Sequence, residues 1–251
     1  MSDLAAKPSR FSALANPTRF MALSGRVQPF AYGLAGLLLL VGLGLGLAAP
    51  DDYQQGATVK IMFIHVPFAW ASMMVWSIMS LSALGVLVWR HPLAEVAIAA
   101  AAPIGAVFTA LALLTGSIWG RPMWGTWWVW DARLTSVFVL FLMYLGLIAL
   151  SRAFEEPARA GRPSAILVLV GAVNLPVIKF SVDWWNTLHQ PASVMRADGP
   201  TMAAVYLWPL LVTALGISVL FVALHLTAMR TEVVRRRVHA QSRRLALRAG
   251  G

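Results

Sequence analysis

Two histidines, a run of tryptophans and one carboxylate are the residues here whose types and spacing point to chemistry. Residues 119–131 read Trp-Gly-Arg-Pro-Met-Trp-Gly-Thr-Trp-Trp-Val-Trp-Asp and hold five of the eleven tryptophans. An indole offers a broad apolar face and a single N–H donor, so it works where one edge of the ring is dry and the other wet. A cluster of them makes a platform for a flat aromatic ligand. If the stretch is helical, Trp124, Trp127, Trp128 and Asp131 fall at i, i+3, i+4 and i+7 and share one face. Gly125 would let the backbone come close to a ligand, although it weakens the helix expectation.

The elements that position this stretch are membrane spans. Of the 251 residues 59% are hydrophobic and 12% charged, with a mean hydropathy of +0.72, whereas soluble domains carry about 25% charged residues. At about 20 residues per bilayer-spanning helix, six apolar runs fit, at about 30–49, 61–89, 93–117, 134–150, 164–182 and 201–229. The first ends in Leu-Ala-Ala-Pro, the kind of small-residue sequence that follows a signal peptide. Its length and the long arm before it favour a retained helix. Within it, Gly42 and Gly46 have the spacing that lets a second helix approach closely; a flexible glycine-rich anchor is the competing reading. Pro103 predicts a kink in the third run. The fifth carries Asn174, Pro176 and Lys179, polar groups expected to face other helices or water. The expected organisation is a basic arm over 1–26, a membrane domain over 27–229 with outer loops at 118–133 and 183–200, and a basic tail over 230–251. That tail reads as a basic amphipathic helix lying along anionic lipid headgroups.

Six spans put both termini on one side. The arm, the turn at Arg90, the connection 151–163 and the tail together carry 15 Lys and Arg, and the opposite side carries 5. By the positive-inside rule both termini are cytoplasmic and the tryptophan loop faces outward. The net charge of +10 is therefore a topology signal and not a nucleic-acid footprint. Of the five histidines, only His65, one turn inside the second span, and His189, in the last outer loop, can reach the tryptophan loop. A neutral imidazole is a versatile metal ligand and heme iron accepts histidine axially. A hydrogen-bonded interfacial histidine is the competing reading for each.

An aromatic belt at headgroup depth is the alternative for the tryptophans, but a belt decorates both interfaces. Trp119, Trp124, Trp127, Trp128, Trp130, Trp184 and Trp185 lie in or beside the outer loops, and Trp89 is the one clearly at the inner face. Arg121 and Arg133 bracket the cluster and are suited to pairing with a carboxylate such as a heme propionate. For Arg133, pairing with Asp131 or snorkelling is an equal alternative. Asp131 could hold an arginine or an imidazole N–H in place. There is no cysteine, which excludes disulfides, thiolate metal sites and thioether attachment of heme. No serine–histidine–acid set, phosphate loop or paired-acid arrangement argues for an enzyme.

Three motifs in order carry a family resemblance. They are Ile64-His65-Val66-Pro67, then 124–136 (Trp-Gly-Thr-Trp-Trp-Val-Trp-Asp-Ala-Arg-Leu-Thr-Ser), then 181–191 (Ser-Val-Asp-Trp-Trp-Asn-Thr-Leu-His-Gln-Pro). Over about residues 27–229 the chain resembles the CcmC family of tryptophan-rich heme-handling proteins in cytochrome c maturation. The resemblance implies an all-α, six-span protein of the bacterial inner membrane, with b-type, non-covalent heme held at the periplasmic face. His65 and His189 would be the axial ligands and Trp119, Trp124, Trp127, Trp128, Trp130 and Asp131 the platform. Implied partners are the heme chaperone CcmE, the ABC transporter subunits CcmA and CcmB, and the small membrane protein CcmD. Two further functions compete with this one. A b-type electron-transfer cytochrome needs several histidine pairs deep in its spans. A permease subunit needs an intramembrane polar path, of which Asn174 and Lys179 are the only sign.

Overall fold

The computed structural model describes residues 16–249. Asn16 opens the first helix of the described residues: its side chain accepts from the backbone N–H groups of Thr18 (2.9 Å) and Arg19 (3.4 Å). Pro17 follows at the first helical position, where a missing N–H costs nothing. Helix α1 therefore spans Pro17–Ala48 and starts well before the apolar run. The arm expected over 1–26 is thus helical from Pro17, and residues 1–15 lie outside the described residues.

A 3-10 turn, Ala57–Ile61, leads into α2 (Met62–Trp89), followed by α3 (Pro92–Trp124) and α4 (Ala132–Arg152). Next come α5 (Gly161–Ala172), α6 (Asn174–Trp184) and α7 (Ala204–Ala249). Helices α5 and α6 form one span, interrupted at Val173. The cause is Pro176, which has no N–H to donate to the Ala172 carbonyl. With that pair counted once, six helices among the described residues are long and apolar enough to cross a membrane. Among the described residues there is no strand, only an isolated bridge between Asp52 and Gly56. The chain is an all-α polytopic protein.

Two helices run past their apolar stretches. Helix α3 continues through Pro122 to Trp124, where Gly125 stops it in the left-handed region (φ 75°) and its N–H caps the Arg121 carbonyl at 3.0 Å. Helix α7 has 46 residues and no break after Met229, so the basic tail leaves along the axis of the sixth span. At 1.5 Å per residue the rod is about 70 Å long. It is braced by Arg236 to Glu95 of α3 (3.3 Å), by Arg235 and Arg236 to its own Glu232 (2.7 Å each), and by Arg243 to Glu156.

The centre of the bundle is a knot of two aromatic residues, both fully buried. Trp76 of α2 and Tyr144 of α4 meet edge to face at 4.7 Å between centroids. Trp76 donates to the Val168 carbonyl of α5 at 3.0 Å, and Tyr144 donates to the Ser72 carbonyl of α2 at 2.7 Å. Glycines make room for both rings. A Cβ on Gly105 would stand 2.2 Å from Tyr144, and one on Gly171 would stand 2.4 Å from Trp76.

Helix α1 flanks the bundle as an antiparallel partner of α7. Gly42 lies against the Thr213 backbone and Leu39 against Gly216, while Gly46 admits the Phe63 ring of α2. The small-residue spacing in α1 thus serves close helix approach, to two different neighbours.

Gly105→Ala should lower the thermal midpoint of the detergent-solubilised protein by an amount corresponding to about 1–3 kcal/mol of overpacking. Gly146→Ala in α4, where an added Cβ meets nothing within 4 Å, should leave it unchanged or raise it; equal midpoints for the two variants would contradict the knot.

Candidate functional site

One end of the bundle gathers the start of α2, the end of α3, the start of α4, the end of α6 and the loop before α7. His65 sits in the first turns of α2 with its ring against α3. Its Nδ1 is 3.0 Å from the Ala112 carbonyl oxygen and 3.3 Å from Thr115 Oγ1. Gly116 makes this approach possible, since a Cβ there would lie 2.8 Å from the ring. Trp119 presents an edge to the same imidazole, with centroids 5.8 Å apart.

Trp119 is itself held. Its Nε1 donates to Gln55 Oε1 at 3.1 Å. Gln55 lies in a turn made by Asp52, whose carboxylate accepts from the N–H groups of Gln54 and Gln55, both at 2.9 Å. The indole also packs on a buried apolar cluster formed by Ala49, Val59, Met62, Phe63 and Leu210.

His189 comes from the irregular loop between α6 and α7 and meets the edge of Trp124, the last residue of α3, at 5.0 Å. Trp124 can fold back on its own helix because Gly120 presents no Cβ to it. Asp131 joins the loop to the bundle. As the N-cap of α4 it accepts from Leu134 N–H at 2.7 Å, and its other oxygen accepts from Leu188 N–H at 3.3 Å. That oxygen lies 3.6 Å from His189 Nδ1, beyond hydrogen-bond length, and Nδ1 is buried with no partner among the described residues. Burial and the nearby Arg133 guanidinium hold the His189 pKa below its ordinary value, against the opposing pull of Asp131. The ring is therefore neutral at pH 7, with a lone pair free for a metal. His65 lies against Gly116, and Trp124, which meets His189, lies against Gly120 one turn further along α3, so both histidines gather at the same end of that helix.

The structure does not build the single tryptophan strip expected from the helical spacing. Residues 126–130 are not helical, because Gly125 ends α3 and Asp131 begins α4. The tryptophans divide into separate groups. Trp119 and Trp124 accompany the histidines. Trp128 and Trp130 pack edge to face with each other and with Phe138 at 5.5–6.3 Å. With Leu113, Leu114 and Ser117 they line a groove of about 350 Å³ on the opposite face of α3 from His65. Trp128 Nε1 has no partner among the described residues. Trp184 stacks on Phe180 and meets Trp185 edge to face, at the end of α6. Trp127 is 58% exposed.

The two arginines also differ. Arg121 donates to the Gly125 carbonyl and stays at the rim. Arg133 reaches α6 instead of Asp131, donating to Ser181 Oγ (3.1 Å) and to the carbonyls of Ile178 and Lys179 (3.3 Å each). It ties α4 to the last turns of α6, and so fixes where the His189 loop departs. Sequence reasoning passed over Gln55, Ala112, Thr115 and Gly116. Nothing local in the chain marks them, since each matters only through a partner about 50 or more residues away.

A family model described as heme exporter protein C matches residues 10–244. The chain is similar to the heme exporter protein C of Bradyrhizobium diazoefficiens, 67% identical over 227 residues, covering 90% of this chain and 86% of the relative. The protein of that name from Paracoccus denitrificans is 48% identical, with 90% and 94% covered. The one from Escherichia coli K12 is 47% identical over 223 residues, with 88% and 89% covered.

Asp131→Ala removes a helix cap worth about 0.5–2 kcal/mol together with the anchor of Leu188. Limited proteolysis should then cut loop 183–200 several-fold faster than in the wild type, and an unchanged cleavage rate would mean that Asp131 does not hold the loop.

Proposed function

Since the chain belongs to the heme exporter protein C family, we propose that it handles heme for cytochrome c maturation. Heme is held at the outer end of the bundle, with His65 and His189 as its axial ligands. The single observation that carries this reading is the pair of imidazoles brought together from residues 65 and 189. One is seated on α3, and the other is neutral and unpaired. Heme needs no larger set of protein donors, because the porphyrin supplies four nitrogens and the protein two axial groups. This fits the described residues, which hold no cluster of three or more His, Cys, Asp or Glu. With no cysteine in the chain, the bound heme is b-type and non-covalent.

Heme is cargo here, and the chain's own residues bind and orient it. Trp119 and Trp124 line its apolar edge beside the two histidines. Arg121, exposed at the rim, has guanidinium N–H groups beyond the one it gives to Gly125 with which to meet a propionate, while Arg133 is largely committed to α6. The location supports transfer, because a ligand held among outer loops is open to an acceptor from the side, whereas one buried at mid-span is not. The acceptor in this reading is the heme chaperone CcmE, and the chain works beside the ABC transporter subunits CcmA and CcmB and the small protein CcmD. It presents heme and catalyses no turnover of its own. The protein sits in the bacterial inner membrane, with its tryptophan loops periplasmic and both termini cytoplasmic. The excess of basic residues on the terminal side supports that orientation.

Protein purified in detergent should show the absorption spectrum of low-spin bis-histidine heme, oxidised and reduced. His65→Ala or His189→Ala should abolish or convert that spectrum, and His91→Ala should preserve it; a wild-type spectrum in either of the first two would remove that residue as a ligand. For sidedness, a reporter enzyme fused after Gly251 should be active only in the cytoplasm and one inserted near Asp198 only in the periplasm, with the reverse pattern inverting the topology.

A further inference from the structure

Resting on the heme-handling reading above, we propose that the two histidines are unequal partners. Helix α3 builds a fixed seat for His65, with Thr115 and Gly116 as positioning residues, and His189 is the ligand that yields when an acceptor takes the cargo.

The seat fixes which nitrogen of His65 carries the proton. Its Nδ1 faces the Ala112 carbonyl at 3.0 Å and Thr115 Oγ1 at 3.3 Å. A carbonyl only accepts, and a hydroxyl has one proton to give. Thr115 directs that proton to the Leu111 carbonyl at 2.6 Å, so towards His65 it offers a lone pair. Both neighbours of Nδ1 are thus acceptors. Nδ1 must hold the hydrogen, and Nε2 is left with the lone pair that binds iron. A backbone carbonyl in this position also raises the basicity of the ligating nitrogen.

Gly116 sets the ring's position. A Cβ at 116 would stand 2.8 Å from Cε1 and 3.2 Å from Nδ1 of His65. Cε1 lies between the two nitrogens, so pressure there disturbs the hydrogen bond and the ligand lone pair together. Met62 and Phe63, in the same first turns of α2, are buried, so the segment that carries His65 is packed into the bundle.

His189 is carried by a loop, and its Nδ1 has no hydrogen-bond partner among the described residues. Residues 185–203 form no helix, so the ring can swing without breaking a helical hydrogen bond. Around the ring the loop is held by Leu188 N–H to Asp131 (3.3 Å), by the edge of Trp124 and by a local turn in which His189 N–H donates to Thr187 Oγ1 (3.3 Å), while Nδ1 stays 3.6 Å from Asp131 without a hydrogen bond. An acceptor bearing its own ligand can therefore displace His189 while His65 keeps its place.

The test uses the full-length protein loaded with heme and compares heme-to-protein ratio, absorption and electron paramagnetic resonance spectra, with and without imidazole. His189→Ala should retain heme, turn high-spin, and return to a low-spin spectrum when imidazole is added. His65→Ala should lose most of its heme. Gly116→Ala, with both histidines present, should bind heme about 10-fold more weakly and show a shifted low-spin resonance signature. Alanine is a better helix former than glycine, so a weakened α3 is not the cause. Gly146→Ala, entering open space, should match the wild type. Should Gly116→Ala fail to fold, Thr115→Val should shift the same signature and Thr115→Ser should not. Equal heme retention by the two histidine variants, or unchanged signatures at 115 and 116, would overturn the unequal pair while leaving heme binding in place. Wild-type protein that takes up no heme would overturn both this inference and the function it rests on.

Discussion

A polar atom inside a membrane bundle has no water to turn to, so the protein must supply its partner. That constraint organises this structure from the centre outward. Tyr144 and Trp76 bring two large rings into the middle of the bundle, and each polar tip finds a carbonyl on a neighbouring helix. Asn174 donates to the Ser136 carbonyl at 2.8 Å, joining α6 to α4. Thr109 and Thr213 return their hydroxyls to the carbonyls four residues earlier. Each bond between helices selects one arrangement of them, because sliding either partner leaves a donor stranded in an apolar medium, whereas the threonine bonds satisfy their hydroxyls within one helix.

The same constraint, met at the edge of the bundle, produces the site. His65 lies deep enough to need a partner for Nδ1 and takes a carbonyl of α3. His189 lies in the loop layer, where its Nδ1 goes unpaired. Asp131 mediates between the two regimes. It caps α4, holds the backbone of the histidine loop and faces the imidazole, so one carboxylate ties helix, loop and imidazole together. Arg133, two residues on, anchors the other end of that loop by gripping the last turns of α6.

The division of the tryptophans follows from a single glycine. Gly125 has a left-handed conformation that ends α3, and the five residues after it cross to α4 without helical order. Trp119 and Trp124, before the break, stay on the histidine side. Trp128 and Trp130, after it, fall on the far face of α3 with Phe138. The cluster that looks continuous in one dimension is two surfaces in three, and Trp184 and Trp185 make a third aromatic patch beyond it.

The residues alone determined the all-α class and the six spans, and they marked His65, His189 and the tryptophan stretch as candidates. Apolar run length, charge bias and residue chemistry are local quantities, and a bilayer leaves few ways to satisfy them. They were weakest where a terminus decides the matter. Asn16 and Pro17 start α1 inside the basic arm, and α7 runs on into the tail, because capping and backbone continuity are indifferent to hydropathy. Tertiary structure alone decided that Gly116, Thr115 and Ala112 seat His65, that Gln55 holds Trp119, and that Arg133 serves α6. Each of those roles is a contact between segments far apart in the chain. A glycine, an alanine or a glutamine carries no sign of its function until packing brings its partner to it.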